Sequence, residues 1–223
     1  MSKIIVHHLE KSRSQRILWL LEEIGLDYEI KEYKRDPKTI RAPKELRDIH
    51  PLGRSPVVTV DELVLVESGA ILESLVERFA PDSLRPQPGS SEYLDFRYWM
   101  HYAEGSFMPP LLVSLIFGQL RDVKLPFFLK PVVKGIAGKV DAAYTHPEML
   151  NHMSFVENAL GQHSHFVGDS FSAADIQMGY PVEAALKRGA KLGDFPNMQR
   201  WLDTMKARPA YKRAEEKGGP AMP

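Results

Sequence analysis

The strongest constraint on the fold is a change of sequence periodicity at residues 81–91. Before this segment, short β-rich runs alternate with helical patterns, and after it only helical spacing recurs. The segment itself reads PDSLRPQPGSS and is rich in proline and serine, a composition typical of linkers. The sequence therefore predicts a small α/β domain over residues 1–81, a linker over 82–91 and an all-α domain over 92–223.

The sequence of the first half of the α/β domain predicts a strand, a helix and a second strand. Lys3 to Val6 is a β-rich run, and apolar residues from Ile17 to Ile24 recur at helical spacing. Gly25 follows as a C-cap residue, and Tyr28 to Tyr33 alternates apolar and charged side chains. Such a βαβ unit predicts a parallel strand pair with a right-handed crossover.

The second half of this domain predicts an α element and then a ββα unit. Residues 34–48 are highly charged and predict a loop with an irregular helix. Two short apolar runs, VVTV at 57–60 and LVLV at 63–66, flank Asp61-Glu62 and predict a β-hairpin with a two-residue turn. Ser68 can cap a helix that continues to Phe79, which completes the order βαβαββα.

The C-terminal part contains helical patterns throughout. Glu92 to Leu120 reads as one long helix that Pro109-Pro110 should kink or break. Ser172 and Asp175 have the spacing of a capping box at the start of a buried helix. The remaining predicted helices are 127–144, 149–160, 172–186, 196–206 and 209–216.

Charge and cysteine content exclude several classes of function. Lys+Arg and Asp+Glu are both 29, and neither half carries an excess, so we expect no nucleic-acid partner. The chain has 0 cysteines, which excludes disulfides, cysteine-ligated zinc and a cysteine nucleophile. The N-terminus has no secretory pattern and the most apolar run, 109–118, is too short for a membrane span, so we expect a soluble cytoplasmic protein. Histidine pairs at 7–8 and 163/165 lack a completing carboxylate, and no metal site is predicted.

Ser12 lies between the first strand and the first helix, where a helix N-terminus can bind an anion. A hydroxyl there can donate a hydrogen bond to a thiolate or a phosphate. No G-x-G-x-x-G or Walker motif accompanies it, which disfavours a nucleotide. The simpler alternative is that Ser12 or Ser14 caps the helix.

Two further segments combine turn chemistry with polar groups. Ser55-Pro56 precedes a strand, and a cis bond there would leave backbone groups free to pair with a peptide-like ligand. The alternative is an ordinary turn proline. Glu67-Ser68 joins a strand to a helix, where an acid can hold an ammonium group and the hydroxyl with free backbone N–H groups can hold a carboxylate. The alternative is a helix cap.

The order and spacing of these segments resemble those of the glutathione S-transferase family. The matching runs are SRSQR from Ser12, HPLGRSPVV from His50, Glu67-Ser68, and FVGDSFSAADI from Phe166. The similarity extends over about residues 3–212 and is closest to the serine-type classes, in bacterial or fungal-like form. It implies a thioredoxin-like N-terminal domain, an all-α C-terminal domain, a homodimer and a role in detoxification, with glutathione as co-substrate and no metal.

The resemblance also implies roles for individual residues. Ser12, four residues before Arg16, would activate the glutathione sulfur. Ser55 and Pro56 would pair with the cysteinyl backbone, and Glu67 with Ser68 would hold the γ-glutamyl head. The glycine carboxylate would be held by Lys44, His50 and Arg54. Glu104 would reach the γ-glutamyl group across the dimer. The wall of the hydrophobic co-substrate site would be formed by Phe107, Met108, Pro110 and Phe117.

Within this resemblance, the sequence favours conjugation of glutathione to electrophiles or reduction of organic peroxides. A maleylacetoacetate-type isomerase is disfavoured because that family usually has Ser-Ser-Cys in its active-site loop. This chain has Ser12-Arg13-Ser14 at the corresponding place and no cysteine. An omega-like thiol transferase needs a cysteine nucleophile and is excluded. A non-catalytic transferase-like module for protein binding is the remaining alternative. Neither the electrophile nor the choice between the two reactions can be identified from the residues.

Overall fold

The N-terminal part of the chain is built on a four-stranded sheet. The computed structural model describes residues 2–39 and 41–222. The strands are β1 (Ile4–Leu9), β2 (Glu29–Tyr33), β3 (Val57–Val60) and β4 (Leu63–Val66), in the order β2-β1-β3-β4. β1 and β2 are parallel, whereas β3 runs antiparallel to both β1 and β4. This confirms the thioredoxin-like α/β arrangement.

Two helices pack against this sheet, α1 (Gln15–Ile24) and α2 (Ser68–Phe79). Gly25 ends α1 with φ 76°, a left-handed conformation that glycine adopts without steric cost. The irregular helix predicted within the charged connection is a four-residue 3₁₀ helix at residues 44–47. This charged stretch buries only Leu46, and an isolated short helix without an apolar face is marginal.

The C-terminal part contains seven α-helices among the described residues and confirms the all-α prediction. They are α3 (Ser91–Tyr102), α4 (Met108–Arg121), α5 (Lys130–Val140), α6 (His146–Gln162), α7 (Ala173–Gly189), α8 (Pro196–Ala207) and α9 (Pro209–Gly218). The domain boundaries at 81 and 92 stay predictions, although no helix or strand lies between Phe79 and Ser91.

The disturbance expected at Pro109-Pro110 lies one turn earlier and is not a break of the helix. The chain stays helical from α3 to α4, and the distortion is a π-helical turn over Ala103–Phe107, one turn before the prolines. A proline ring clashes with the carbonyl four residues earlier and offers no N–H, so the preceding turn must widen. A second π turn, Asp141–Thr145, precedes Pro147 and joins α5 to α6, where two separate helices were predicted.

One hydrophobic core includes residues from both parts of the chain. α7 is buried along most of its length, and α9 packs against α1, where the Trp19 and Tyr211 rings meet edge to face at 5.0 Å. The capping box at the start of α7 is confirmed, since Ser172 and Asp175 make reciprocal side chain–backbone bonds. The helix α1, which begins shortly after β1, therefore lies between the sheet and the helices α7 and α9.

None of the helices in the described ranges, 2–39 and 41–222, is both long and apolar enough to cross a membrane.

Candidate active site

The sheet register brings three of the predicted motifs to one edge. Val57, the first residue of β3, pairs with the last residue of β4 and with a residue near the end of β1. The segments that follow β1, precede β3 and follow β4 therefore meet there. These segments carry Ser12, Ser55 and Glu67 respectively.

Ser12 is the reachable member of a buried serine pair. Its Oγ lies 2.8 Å from the Ser14 Oγ and 3.3 Å from the Ser55 Oγ, and it accepts the Ser14 backbone N–H at 3.2 Å. Ser12 is 6% exposed, whereas Ser14 is completely buried. Of the two residues, only Ser12 therefore has any exposed surface.

The alternative interpretation, that Ser12 or Ser14 caps helix α1, is correct only in part. α1 begins at Gln15, and Ser14, in the N-cap position, makes no side-chain cap bond. Its hydroxyl instead lies 2.9 Å from the His8 Nδ1. Ser12 contributes to the start of the helix by accepting one backbone N–H, which leaves a lone pair and its own hydrogen for other partners.

The peptide bond between Ser55 and Pro56 is cis, which answers the question that the sequence left open. Pro56 is buried and Ser55 is half-buried beside Ser12. The turn therefore lies directly against the segment between β1 and α1.

Glu67 has an unusual backbone conformation at the junction of β4 and α2. Its φ is 68° and ψ is 125°, and its side chain is exposed. Such a conformation costs a non-glycine residue about 1–3 kcal/mol and is concentrated at functional sites. The cap prediction for Ser68 is wrong by one position, because Glu67 occupies the N-cap place and Ser68 is the first, buried residue of α2.

The three predicted carboxylate-binding residues lie on the long connection between β2 and β3. The side chains of Lys44 and Arg54 are exposed, and His50 is half-buried. The backbone N–H of Gly53 donates to the His50 carbonyl at 2.8 Å, in a turn that leads directly to Ser55. On this connection, Arg54 directly precedes Ser55 in the sequence.

Glu104, on the π turn between α3 and α4, forms an ionic cluster with α1. Its Oε1 accepts from the Arg16 Nη2 at 2.5 Å and from the Arg13 Nε at 3.0 Å. Burial raises the pKa of the Glu104 carboxyl, but the two guanidinium groups outweigh burial and hold this pKa below its ordinary value. Glu104 is thus ionised at neutral pH and engaged within its own chain.

The predicted hydrophobic wall divides into buried and accessible residues. Phe107 is fully buried, with its ring 5.9 Å from both Tyr102 and His152, so it belongs to the core. Met108 and Pro110 are also buried. Phe117 is half-buried and is the member of this set with the most surface to present to a ligand.

Two charged or polar residues near the edge were not predicted from the sequence. Arg16 is buried on the apolar face of α1, where it donates to both oxygens of Gln177 in α7. A charged residue directly before the apolar residues of α1 was the sequence signal that could have identified Arg16. His8 is buried on β1, on the same alternating face as Ile4 and Val6. Within the described part of the chain, no group of three or more histidine, aspartate or glutamate side chains could hold a metal ion.

Comparisons with known proteins agree with this architecture. The family models of the glutathione S-transferase N-terminal and C-terminal domains match residues 1–77 and 120–209. Glutathione S-transferase 1 of Saccharomyces cerevisiae is 35% identical over 96% of this chain and 94% of its own length. Glutathione S-transferase 3 of Schizosaccharomyces pombe is 35% identical over 96% of this chain and 87% of its own length.

Solved structures show the same fold. A glutathione S-transferase from Actinobacillus pleuropneumoniae has a TM-score of 0.77 and 32% identity, covering 96% of this chain and 92% of its own. A sphingomonad glutathione S-transferase complexed with glutathione has a TM-score of 0.70 at 21% identity, covering 96% and 98%, a likeness of fold alone.

Proposed function

The chain belongs to the glutathione S-transferase family, and from this premise we propose that Ser12 activates the thiol of bound glutathione for attack on hydrophobic electrophiles. The enzyme is a glutathione transferase and glutathione is its co-substrate. The observation that carries the proposal is the Ser12 hydroxyl at the sheet edge, 3.3 Å from the hydroxyl of the serine that precedes the cis proline. Organic peroxides are a second class of acceptor for the same thiolate.

The energy needed is within reach of one hydroxyl at a helix N-terminus. A free thiol titrates near 8.5, and lowering its pKa by about two units requires about 2.7 kcal/mol of preferential thiolate stabilisation. A hydrogen bond to a charged group contributes about 1.5–3 kcal/mol, and the start of a helix adds about 0.3–1 kcal/mol. Ser12 precedes α1 by three residues and supplies the hydroxyl.

The remaining contacts follow the parts of the glutathione molecule. We assign the cysteinyl backbone to Ser55 and Pro56, and the γ-glutamyl head to Glu67 and Ser68. The exposed Glu67 carboxylate and the first turn of α2 support this pairing with an ammonium and a carboxylate. The glycine carboxylate is assigned to the basic residues Lys44, His50 and Arg54, and Glu104 to the γ-glutamyl group of the partner subunit's ligand.

The helical part, residues 92–223, is proposed to hold the electrophile against the glutathione domain, 1–81. Phe117 supplies the surface of this pocket, while Met108 and Pro110 support it and Phe107 anchors it in the core. Apolar lining suits the hydrophobic electrophiles handled in detoxification.

We propose a homodimer that works in the cytoplasm. Leu63 on β4 is 53% exposed and Leu94 on α3 is 68% exposed, and a second copy that covered these side chains would remove apolar surface from water. The cytosol keeps thiols reduced through glutathione, which is the form of co-substrate that the reaction needs. Light scattering after gel filtration tests the first point, and cell fractionation tests the second.

The function is tested by retention on immobilised glutathione, followed by turnover of an activated aryl halide and of an organic hydroperoxide. We expect retention, elution by free glutathione and turnover of at least one of the two acceptors. A protein that is not retained and turns over neither acceptor would contradict the proposal and support a non-catalytic binding module.

A further inference from the structure

A continuous chain of hydrogen bonds connects Ser12 to the interior of the protein. The Ser12 Oγ lies 2.8 Å from the Ser14 Oγ, which lies 2.9 Å from the His8 Nδ1. The other ring nitrogen of His8, Nε2, lies 2.8 Å from the carbonyl oxygen of Gly218 at the end of α9. All three side chains are at least nine-tenths buried. We call this set, Ser12, Ser14 and His8, the serine–histidine chain.

The hydrogen positions in this chain follow from the carbonyl at its inner end. A carbonyl oxygen only accepts, so the His8 Nε2 must carry a hydrogen. In the neutral ring the Nδ1 is then an acceptor, and it receives the Ser14 hydroxyl hydrogen at 2.9 Å in preference to the Leu9 carbonyl, which lies farther away at 3.3 Å. The Ser14 oxygen is left to accept the hydroxyl hydrogen of Ser12. With neutral His8, the Ser12 hydrogen therefore points inward and not toward a ligand.

A bound thiolate favours the opposite direction. When Ser12 donates to sulfur, the Ser14 hydroxyl can donate to Ser12 or to the Leu9 carbonyl at 3.3 Å, and the Ser14 oxygen keeps a donor of its own only if His8 donates to it. The last bond needs a hydrogen on Nδ1, which only the doubly protonated imidazolium has together with its Nε2 hydrogen. The direction of the hydrogen bonds in the serine–histidine chain therefore depends on whether the His8 ring is neutral or doubly protonated.

We propose that His8 is the positioning residue of this transferase: it accepts the glutathione proton through Ser14 and Ser12, and so turns the Ser12 hydroxyl toward the thiolate. In this step the S–H bond breaks and its hydrogen bonds to the Ser12 oxygen. The former Ser12 hydrogen passes to the Ser14 oxygen, and the former Ser14 hydrogen passes to the His8 Nδ1. The products are a thiolate and an imidazolium, with no net change in charge. The inference rests on the proposed role of Ser12.

The surroundings of His8 suit a proton acceptor that is neutral until the thiol is present. Burial lowers the pKa of His8 below its ordinary value, while the Gly218 carbonyl and the Glu32 carboxylate raise it. Glu32 lies opposite His8 in the β1–β2 register, and Ser14 faces the ring from the segment before α1. A thiolate at Ser12 adds a second negative charge, which favours the imidazolium further.

The test is an NMR titration of the His8 ring nitrogens in the ¹⁵N-histidine-labelled protein. His8 is assigned among the 8 histidines by its absence from the His8→Phe spectrum. The titration is recorded in the free protein, with glutathione and with S-methylglutathione, which fills the same site without a thiol proton. We expect a neutral Nε2–H ring in the free protein, and a pKa of His8 about one unit higher with glutathione than with S-methylglutathione.

Two variants separate the proposal from a merely structural role. In Ser14→Ala the difference between the two ligands at His8 should disappear, because the link to Ser12 is cut. In His8→Phe the ratio of thiolate to thiol for bound glutathione at pH 7 should fall about tenfold, because coupling between two sites is reciprocal. Binding of S-methylglutathione should stay unchanged in both variants. If His8→Phe fails to fold, the Ser14→Ala titration still decides.

Identical His8 titrations with the two ligands in the wild-type protein would overturn the serine–histidine proposal. A wild-type protein that binds neither ligand would overturn the proposed function instead, so the two failures are distinguishable.

Discussion

Replacing Asp175 with asparagine should destabilise the protein by removing a hydrogen bond to a carboxylate and leaving buried donors unpaired. Asp175 is completely buried at the start of α7. Its Oδ2 accepts the Ser172 backbone N–H at 2.9 Å. Its Oδ1 accepts the Trp201 indole N–H at 3.1 Å and the Phe166 backbone N–H at 3.2 Å. Each carboxylate oxygen thus faces at least one N–H group that can only donate, and an amide nitrogen in either place would meet that donor.

The magnitude follows from the less costly amide orientation. The asparagine oxygen would stay with Trp201 and Phe166, and its NH₂ group would face the Ser172 N–H. One bond to a charged group is then lost, worth about 1.5–3 kcal/mol, and buried donors are left unpaired at about 1–3 kcal/mol. Because part of this cost is relieved by relaxation, we expect Asp175→Asn to lower the free energy of unfolding by about 2–4 kcal/mol. Asp175→Ala should cost more, since it removes every acceptor.

Urea unfolding followed by far-ultraviolet circular dichroism measures this loss without relying on Trp201 as a probe. Asp203→Asn is the matched control, because Asp203 is exposed on α8 and accepts only the Gln199 amide among the bonds resolved for it. The control should stay within about 0.5 kcal/mol of the wild-type protein. If Asp175→Asn were as stable as the control, the buried N–H groups around residue 175 would not need a carboxylate as their acceptor, and the prediction would be refuted.

Two further predictions concern the contact between α9 and α1. Burial raises the pKa of Glu22, but Lys217, Tyr28 and Arg213 outweigh it and lower the pKa from 4.5 to about 2. A lowered carboxyl pKa stabilises the fold above the unfolded value and is lost as pH falls, so acid should remove about 1–3 kcal/mol between pH 4.5 and about 2. Glu22→Gln should lack this pH dependence in urea unfolding, and an equally steep loss in the variant would contradict the assignment. Gly218→Ala should lower the free energy of unfolding by about 1–3 kcal/mol, because the added Cβ overlaps Leu18 and His8; unchanged thermal stability would show that α9 can move away.

The elements with a clear periodicity were predictable from the sequence. The apolar spacing of α1 and the glycine after it predicted both the helix and its end, and the two-residue turn predicted the β3–β4 hairpin. β1, in contrast, continues three residues beyond its predicted end. His7 and His8 read as polar, yet both are buried because their ring nitrogens find partners across the sheet and on α9.

The helical connections could not be predicted from local rules. Pro109-Pro110 suggested an interruption, and residues 127–144 and 149–160 were predicted as separate helices. In both places the chain stays helical, and the turn before the proline widens into a π helix. Whether a proline breaks a helix depends on what packs around it. Here the turn before Pro109 includes the buried Ala103 and Phe107, which hold the chain in place.

The site was predictable as separate motifs and not as a cluster. Sequence spacing placed Ser12, Ser55 and Glu67 next to strand ends, and their meeting at one edge depends on the β1–β3 register. The ionic cluster of Glu104 with Arg16 joins residues 88 positions apart. No local pattern indicates such a pair, since it arises only when α1 packs against the helical part of the chain.

The central claim is that Ser12 stabilises the thiolate of bound glutathione, and a pH titration of thiolate ultraviolet absorbance tests it most directly. For the wild-type complex we expect an apparent pKa about two units below the 8.5 of a free thiol. Ser12→Ala should return the value close to that of the free thiol while S-methylglutathione still binds. Equal thiol titrations in the wild-type and Ser12→Ala complexes would contradict the account.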